Sequence, residues 1–347
     1  DQDDASVGIN PLELSPGADL DLVAENTLTI FKRIYQRYWG MRTDDILKIA
    51  LRTLLARGNA TLAQVALLLT DATFRAEVTE HLDDPFVAGF WLWFNGLNDG
   101  RRTEAVGPVL NKLRDFLVRP RLRRLLCQPR STVRMEEVVD GGKILLADLS
   151  VGRWGESASE LVGSFLVARL WQSVLARSAR PESERRDFFL YVDEFQKFQG
   201  FSMPFADALA QARGLRLSLT LANQDLGQLS RELRDAVVAN ARSKIVFQCG
   251  QDDAAYLART FAPLDAAALA SLPRFEMAAR LAIDGTTSHA FTLRTLAPSR
   301  VVDPDPARQT KAAALARYGR ASELIDRELL STIRWMGEPA AHEGWDA

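Results

Sequence analysis

The sequence predicts an α/β protein, a mostly parallel sheet attached to a large helical region. Three observations carry this. Between residues 188 and 249, short apolar β-prone runs alternate with helical segments at the spacing of βαβ units. One run, Phe188-Phe189-Leu190-Tyr191-Val192, is apolar throughout and stops at Asp193-Glu194, as a strand buried on both faces would. From residue 22 to about 139, apolar positions recur at three- and four-residue spacing, the period of helices.

Taken in order, residues 1–22 are acidic and turn-rich (Asn10-Pro11, Ser15-Pro16-Gly17) and read as a connection rather than a core element. Ile46–Leu55 has helical periodicity, with Thr43-Asp44-Asp45 as its expected cap. Thr61-Leu62-Ala63-Gln64 has the form of a capping box. Asp84-Pro85 opens a helix carrying Phe90-Trp91-Leu92-Trp93-Phe94. Lys143–Leu149 then reads as a buried strand, followed by an amphipathic helix over 156–177. Helices are expected over 204–213 and 229–240, and strands over 216–222 and 244–249. Arg280–Ile283 and His289–Leu293, separated by Asp284-Gly285-Thr286-Thr287, form an expected hairpin. The tail is expected to be helical from Ala312 to Ile333 and disordered beyond.

Composition narrows the partners. The 347 residues are 47% hydrophobic and 25% charged, with a formal net charge of −2. A chain so balanced has no overall drive toward nucleic acid or anionic membrane, so any DNA contact must come from a local patch. The basic cluster Arg119, Arg121, Arg123 and Arg124 is the candidate, against a solvated helix end or pairing with acids elsewhere. Cys127 and Cys249 lack metal-ligand or CxxC spacing, and His81, His289 and His342 stand alone. A reduced, cytoplasmic setting is therefore expected. No run reaches the ~18–20 apolar residues of a membrane span, and no signal peptide is evident. The chain opens on Asp1, from which a longer parent is expected.

Chemistry concentrates where the strands end. In open α/β sheets ligands bind beyond the carboxyl ends of strands. There Asp193 can hold a Mg²⁺ shell and Glu194 can polarise an attacking water; a solvated acidic turn is the alternative. The run Leu217–Leu221 leads to Asn223-Gln224, one βα unit later. Gln224 can hydrogen-bond a terminal phosphate and a lytic water, while Asn223 or Asp225 can cap the next helix. Arg213, just before that run, can serve as a finger toward a neighbouring subunit. It can equally be a helix-terminal arginine followed by Gly214 at C′.

In their order and spacing, Phe189–Phe195, Arg213-Gly214-Leu215, Leu219–Gln224 with Leu226-Gly227-Gln228-Leu229, and Ile245–Ala254 resemble the C-terminal half of the HerA/FtsK superfamily motors. The match looks most like the conjugative coupling proteins (TraD/TraG type) of type IV secretion systems. Asn10-Pro11-Leu12 resembles the segment after that family's second core strand, and residues 22–140 resemble its inserted all-α domain. The resemblance implies a RecA-like P-loop NTPase core over residues 141–298. Residues 1–21 would then be a connector from a phosphate-loop segment, and 299–347 a helical tail. It further implies a hexameric ring ATPase using ATP and Mg²⁺ to move DNA or a relaxase–DNA complex. Relaxase and secretion-channel proteins would be its partners, and an N-terminal segment its membrane anchor. Under it Asp193 is the metal residue with Asn223 beside the nucleotide, Glu194 the base, Gln224 the sensor and Arg213 the trans finger.

One departure stands out. The phosphate loop G-x-x-x-x-G-K-[ST] occurs nowhere in these residues. Without its lysine and backbone N–H groups nucleotide loses its main anchor, so this chain alone is expected to be inactive. A partner-recruiting module with a degenerate core, or a HerA-like repair translocase, are the other readings.

Overall fold

The structure, a computed structural model, describes residues 4–15, 17–198, 205–298 and 305–334, of which 205–207, 210, 333 and 334 are described by their backbone alone. They form two compact units, one from the residues up to 179 with those from 305 onward, the other from 180–304.

The first unit is helical. After a short strand β1 (Ala5–Ser6) come α1 (Leu20–Ile34), α2 (Met41–Arg57), α3 (Leu62–Thr70), α4 (Ala72–Thr79), α5 (Pro85–Asn95), α6 (Asp99–Leu117), α7 (Pro120–Leu126), α8 (Met135–Asp140), α9 (Val151–Trp154) and α10 (Glu156–Leu175). Local sequence explains several starts. At α3 the Thr61 backbone N–H donates to Gln64 Oε1 at 2.9 Å, completing the capping box. At α5 the Asp84 carboxylate accepts from the N–H groups of Phe86 and Val87, with Pro85 in the first turn. At α2 the expected cap is corrected: Gly40 caps a helix that begins at Met41, leaving Thr43–Asp45 inside its first turn.

The core of this unit is aromatic. Phe31 of α1 meets Phe116 of α6 at 5.8 Å and Phe165 of α10 at 6.0 Å between ring centroids. The helix α10 is not amphipathic as expected. It is apolar almost all round and packs against α1 and α8, as a fully buried helix must. The most deeply buried charge here is answered. Arg177, with no exposed side-chain surface, pairs with Asp140 at 2.8 Å and donates to the Val139 carbonyl at 2.6 Å.

Two expectations fail in this unit for opposite reasons. Asn10-Pro11-Leu12, read as a connection, is buried. The Asn10 amide donates to the carbonyls of Ala60 (2.8 Å) and Pro129 (3.0 Å), and its Oδ1 accepts from the Leu12 N–H (2.9 Å). An Asn-Pro turn signal reads as surface from sequence alone, but one asparagine that answers three backbone groups can sit inside. Lys143–Leu149, read as a buried strand, pairs with no strand among the described residues. Its Ile144 and Leu146 are 88% and 83% exposed. An apolar run becomes a central strand only when ladder partners flank it.

The second unit holds β2 (Phe188–Val192), α11 (Phe205–Ala212), β3 (Leu217–Leu221), α12 (Arg231–Asn240), β4 (Lys244–Val246), α13 (Gln251–Leu257), α14 (Ala266–Ala270), β5 (Glu276–Arg280), β6 (Ala282–Ile283), β7 (Thr286–Thr287) and β8 (Phe291–Arg294). The βα alternation yields one parallel pair: β2 and β3 run in register from Phe188↔Leu217 to Val192↔Leu221. The expected extension of that parallel sheet to the third strand is corrected, because β4 pairs antiparallel with β5, and β5 with β8. The expected hairpin is corrected: Ala282–Ile283 pairs with Thr286–Thr287 as β6–β7, through a tight two-residue turn with Asp284 and Gly285 both at positive φ, while the run expected as its second strand pairs as β8 with β5.

The tail returns to the helical unit as α15 (Asp305–Tyr318), β9 (Arg320–Ala321) and α16 (Ser322–Arg334). Gly319 breaks the continuous helix that periodicity predicts. Its N–H closes on the Leu315 carbonyl at 2.7 Å, and a Cβ there would lie 2.5 Å from that oxygen. β9 then pairs antiparallel with β1. The expected disordered end lies outside the described residues. Among the described residues no helix is long and apolar enough to cross a membrane.

Candidate active site

Parallel pairing in register makes β2 and β3 end together. The ladder runs one step further, with the Ala222 N–H on the Val192 carbonyl (3.0 Å) and the Phe195 N–H on the Ala222 carbonyl (3.2 Å). Asp193, Glu194, Asn223 and Gln224 therefore leave the same edge of one sheet, as the sequence predicts.

Their local settings differ. Asp193 is exposed, and its Oδ1 accepts from the Glu194 N–H at 3.1 Å. Glu194 takes the left-handed conformation (φ 52°, ψ 42°), unusual for a residue with a Cβ. The turn is anchored by the next residue: Phe195 is buried with Leu229 and Leu233. Strain of this kind, held in place by packing, gathers at functional sites. The Glu194 Oε2 accepts from Gln196 Nε2 at 2.8 Å and lies 3.9 Å from the Lys197 ammonium.

Beyond β3, the choice of cap is resolved. Asp225 caps the short 3₁₀ turn Leu226–Gln228, accepting from the Gly227 N–H at 2.6 Å. The Asn223 amide donates to the Asp225 carbonyl at 3.0 Å. The Leu226 N–H donates to Asp253 Oδ2 at 3.0 Å, tying the loop to the first turn of α13. Gln224 is exposed, with no hydrogen bond among the described residues. An exposed carboxylate and an uncommitted amide at one strand edge fit a metal-bound phosphate group, which needs anionic oxygen ligands and a neutral donor.

The arginines lie elsewhere. Arg213 and Arg216 precede β3, so they sit at the opposite sheet edge from the carboxylates. Five residues at ~3.3 Å each make that roughly 16 Å. Gly214 stands at C′ of α11 as expected, but the positive φ (56°) is taken by Arg216. Its guanidinium is engaged by Asp187 (3.3 Å) and Glu182 (3.6 Å). Arg213 is exposed, and its side chain makes no ion pair or hydrogen bond among the described residues.

The basic cluster belongs to the helical unit and is largely answered inside it. Arg124 makes a bidentate pair with Asp326 of α16 (3.1 and 2.6 Å), which Arg123 joins at 3.9 Å. Arg119 pairs with Asp115 at 3.4 Å, while Arg121 is exposed. The hydrogen bond from Arg124 holds the Asp326 carboxyl below its usual range, helped by the charges of Arg124 and Arg123 and opposed by burial. Trp91 is core and donates its Nε1–H to Thr53 Oγ1 (2.9 Å), whereas Trp93 is half exposed. Burial pushes the Cys127 thiol up to about 12, so it is inert at neutral pH. Among the described residues no group of His, Cys, Asp or Glu forms a metal site by itself.

Sequence reasoning assigned no role to Gln196, Gln228 or Asp253. Gln196 lies two residues beyond the carboxylates, the only signal available. Its link to Gln228 crosses thirty-two positions and depends on the fold.

A helical region combined with a sheet that ends in these residues has the fold of a bacterial conjugative coupling protein. Among solved structures, the chain is similar to the plasmid coupling protein TrwB in complex with the non-hydrolysable ATP analogue ADPNP. That likeness has 17% identity, a TM-score of 0.57, and covers 84% of this chain and 72% of that one. TrwB with ADP and Mg²⁺ gives 17% identity, a TM-score of 0.58 and coverage of 86% and 73%. Unbound TrwBdeltaN70 gives 16%, 0.59, and 85% and 74%. No family of known sequences and no curated protein matches the chain.

Proposed function

We propose that this chain is the carboxylate-bearing part of an ATP-driven motor of the conjugative coupling type, a RecA-like core with an inserted helical domain. The observation that carries the reading is the common edge of β2 and β3, which brings Asp193, Glu194 and Gln224 together. The fold supports it, being that of TrwB, whose structures hold ADPNP or ADP with Mg²⁺.

In this reading Asp193 holds the Mg²⁺ shell of bound ATP, with Asn223 bracing the adjoining loop. Mg²⁺ supplies charge neutralisation at the phosphates. Glu194 accepts a proton from the attacking water, and Gln224 donates its amide toward the terminal phosphate. Arg213 lies at the far sheet edge and is uncommitted, so it serves a neighbouring subunit's site rather than its own. Such a finger is worth roughly 10³–10⁵ in rate. A ring, most simply a homo-hexamer at the inner face of the cell membrane, supplies that neighbour, with DNA or a relaxase–DNA complex as cargo. The DNA contact expected of Arg119, Arg123 and Arg124 is not part of this proposal, because their donors are engaged within the fold.

The codons upstream of Asp1 provide the first test, with a strand followed by G-x-x-x-x-G-K-[ST] as the expected reading. In the full-length protein, Glu194→Gln abolishes DNA-stimulated hydrolysis and leaves ATP binding intact. Unchanged turnover overturns the assignment.

A second reading rests on α5, where Phe86 and Leu92 are exposed beside the half-exposed Trp93. Such a face suits a partner-recruiting module. It is favoured if full-length protein captures a relaxase through α5 while Glu194→Gln leaves transfer unaffected.

A further inference from the structure

The polar link running from Glu194 to the loop after β3 is used by nothing described so far. Gln196 Nε2 spends both its hydrogens on it, one on Glu194 Oε2 at 2.8 Å and one on Gln228 Oε1 at 2.6 Å. Gln228 closes the 3₁₀ turn that begins at Leu226. Asp225 caps that turn, Asp253 holds its first N–H, and the buried Leu229 follows it. The far end of the link is therefore anchored, and Gln224 lies on the same loop four residues upstream of Gln228.

We propose that Gln196 is a positioning residue for Glu194, coupling the carboxylate through Gln228 to the loop that carries Gln224. The inference rests on the reading of Glu194 as general base. A base must hold one oxygen within hydrogen-bond reach of the water it deprotonates. Gln196 commits Oε2 and so leaves Oε1 for that task. Lys197 cannot substitute, because an ammonium 3.9 Å away attracts the carboxylate without fixing its plane. The left-handed backbone at Glu194 sets where the side chain starts, and the amide sets where it ends. Because the amide is shared with Gln228, a shift of the loop when Gln224 loses its phosphate partner is felt at the carboxylate. The site then has a mechanical reason to stop after each turnover.

The test uses the full-length protein and the variants Gln196→Ala, Gln228→Ala and their double. In each single variant kcat falls roughly 10- to 100-fold, the usual cost of losing a group that orients a functional side chain. KM and the affinity for a fluorescent ATP analogue change less than about 3-fold, because neither glutamine touches nucleotide. Losses in the double variant are no greater than in the worse single one, as expected of one linked unit. Independently of turnover, Gln196→Ala speeds amide hydrogen exchange in residues 223–229. Multiplicative losses, or an unchanged kcat, overturn the proposal. If Glu194→Gln abolishes hydrolysis while Gln196→Ala spares it, this inference alone fails. If Glu194→Gln spares hydrolysis, the ATPase reading fails with it.

Discussion

The helical unit and the strand edge handle polar groups in opposite ways. In the helical unit, the buried Asn10 and Arg177 find partners within the fold, and even the basic cluster on α7 answers Asp326. Where β2 and β3 end, Gln224 makes no hydrogen bond among the described residues and the exposed Asp193 accepts only from the adjoining Glu194 N–H; at the opposite end the Arg213 side chain is likewise uncommitted. On the outward face of the parallel pair, Phe189 and Tyr191 are 58% and 71% exposed. Parallel sheets are normally covered on both faces. The contrast separates a region stabilised from within from one whose groups are arranged for something outside it.

Substitutions should sharpen that division. The largest effect is expected at Asp140→Ala, which strands the buried Arg177 charge and costs about 3–5 kcal/mol in a denaturant titration of the helical unit. Next is Asn10→Ala, which leaves two carbonyls and one N–H without their partner. It should cost at least ~2 kcal/mol, read as a drop in Tm. Acid should act on the α7–α16 pair. The Asp326 carboxyl is lowered on folding, so its stabilisation is present above the ordinary carboxylate range of ~4 and is lost as pH falls through the lower folded value. Hydrogen exchange of α16 should rise there, and Asp326→Asn should remove the step.

The edge should behave differently. Glu194→Gly, which relieves a positive φ, should stabilise the chain by up to about 1 kcal/mol even though it removes the proposed base. Tyr191→Thr on the open face should change stability by less than about 0.5 kcal/mol. A large loss there would mean that something already covers that face.

Much of this was legible beforehand. The capping box at Thr61, the aspartate–proline start of α5 and the Asp-Gly turn each depend on residues within four positions of one another. The convergence of Asp193-Glu194 with Asn223-Gln224 was legible too, because two runs of equal length joined by a helix pair in parallel and end together. The misreadings share a cause. Ile144 and Leu146 have the composition of a core strand without the neighbours that make one, and Asn10 has the composition of a turn in a place that three backbone groups define.

The sequence by itself determined which residues stand at the ends of the strands, because the two-residue period and the stop of an apolar run are local properties. Only the tertiary structure decided which of them are committed. It gave Arg216 to Asp187 and Arg124 to Asp326, left Arg213 and Gln224 open, and joined Glu194 to Gln228 through Gln196. A hydrogen bond forms where two groups meet within about 3 Å, and for residues distant in sequence only the folded chain sets that distance.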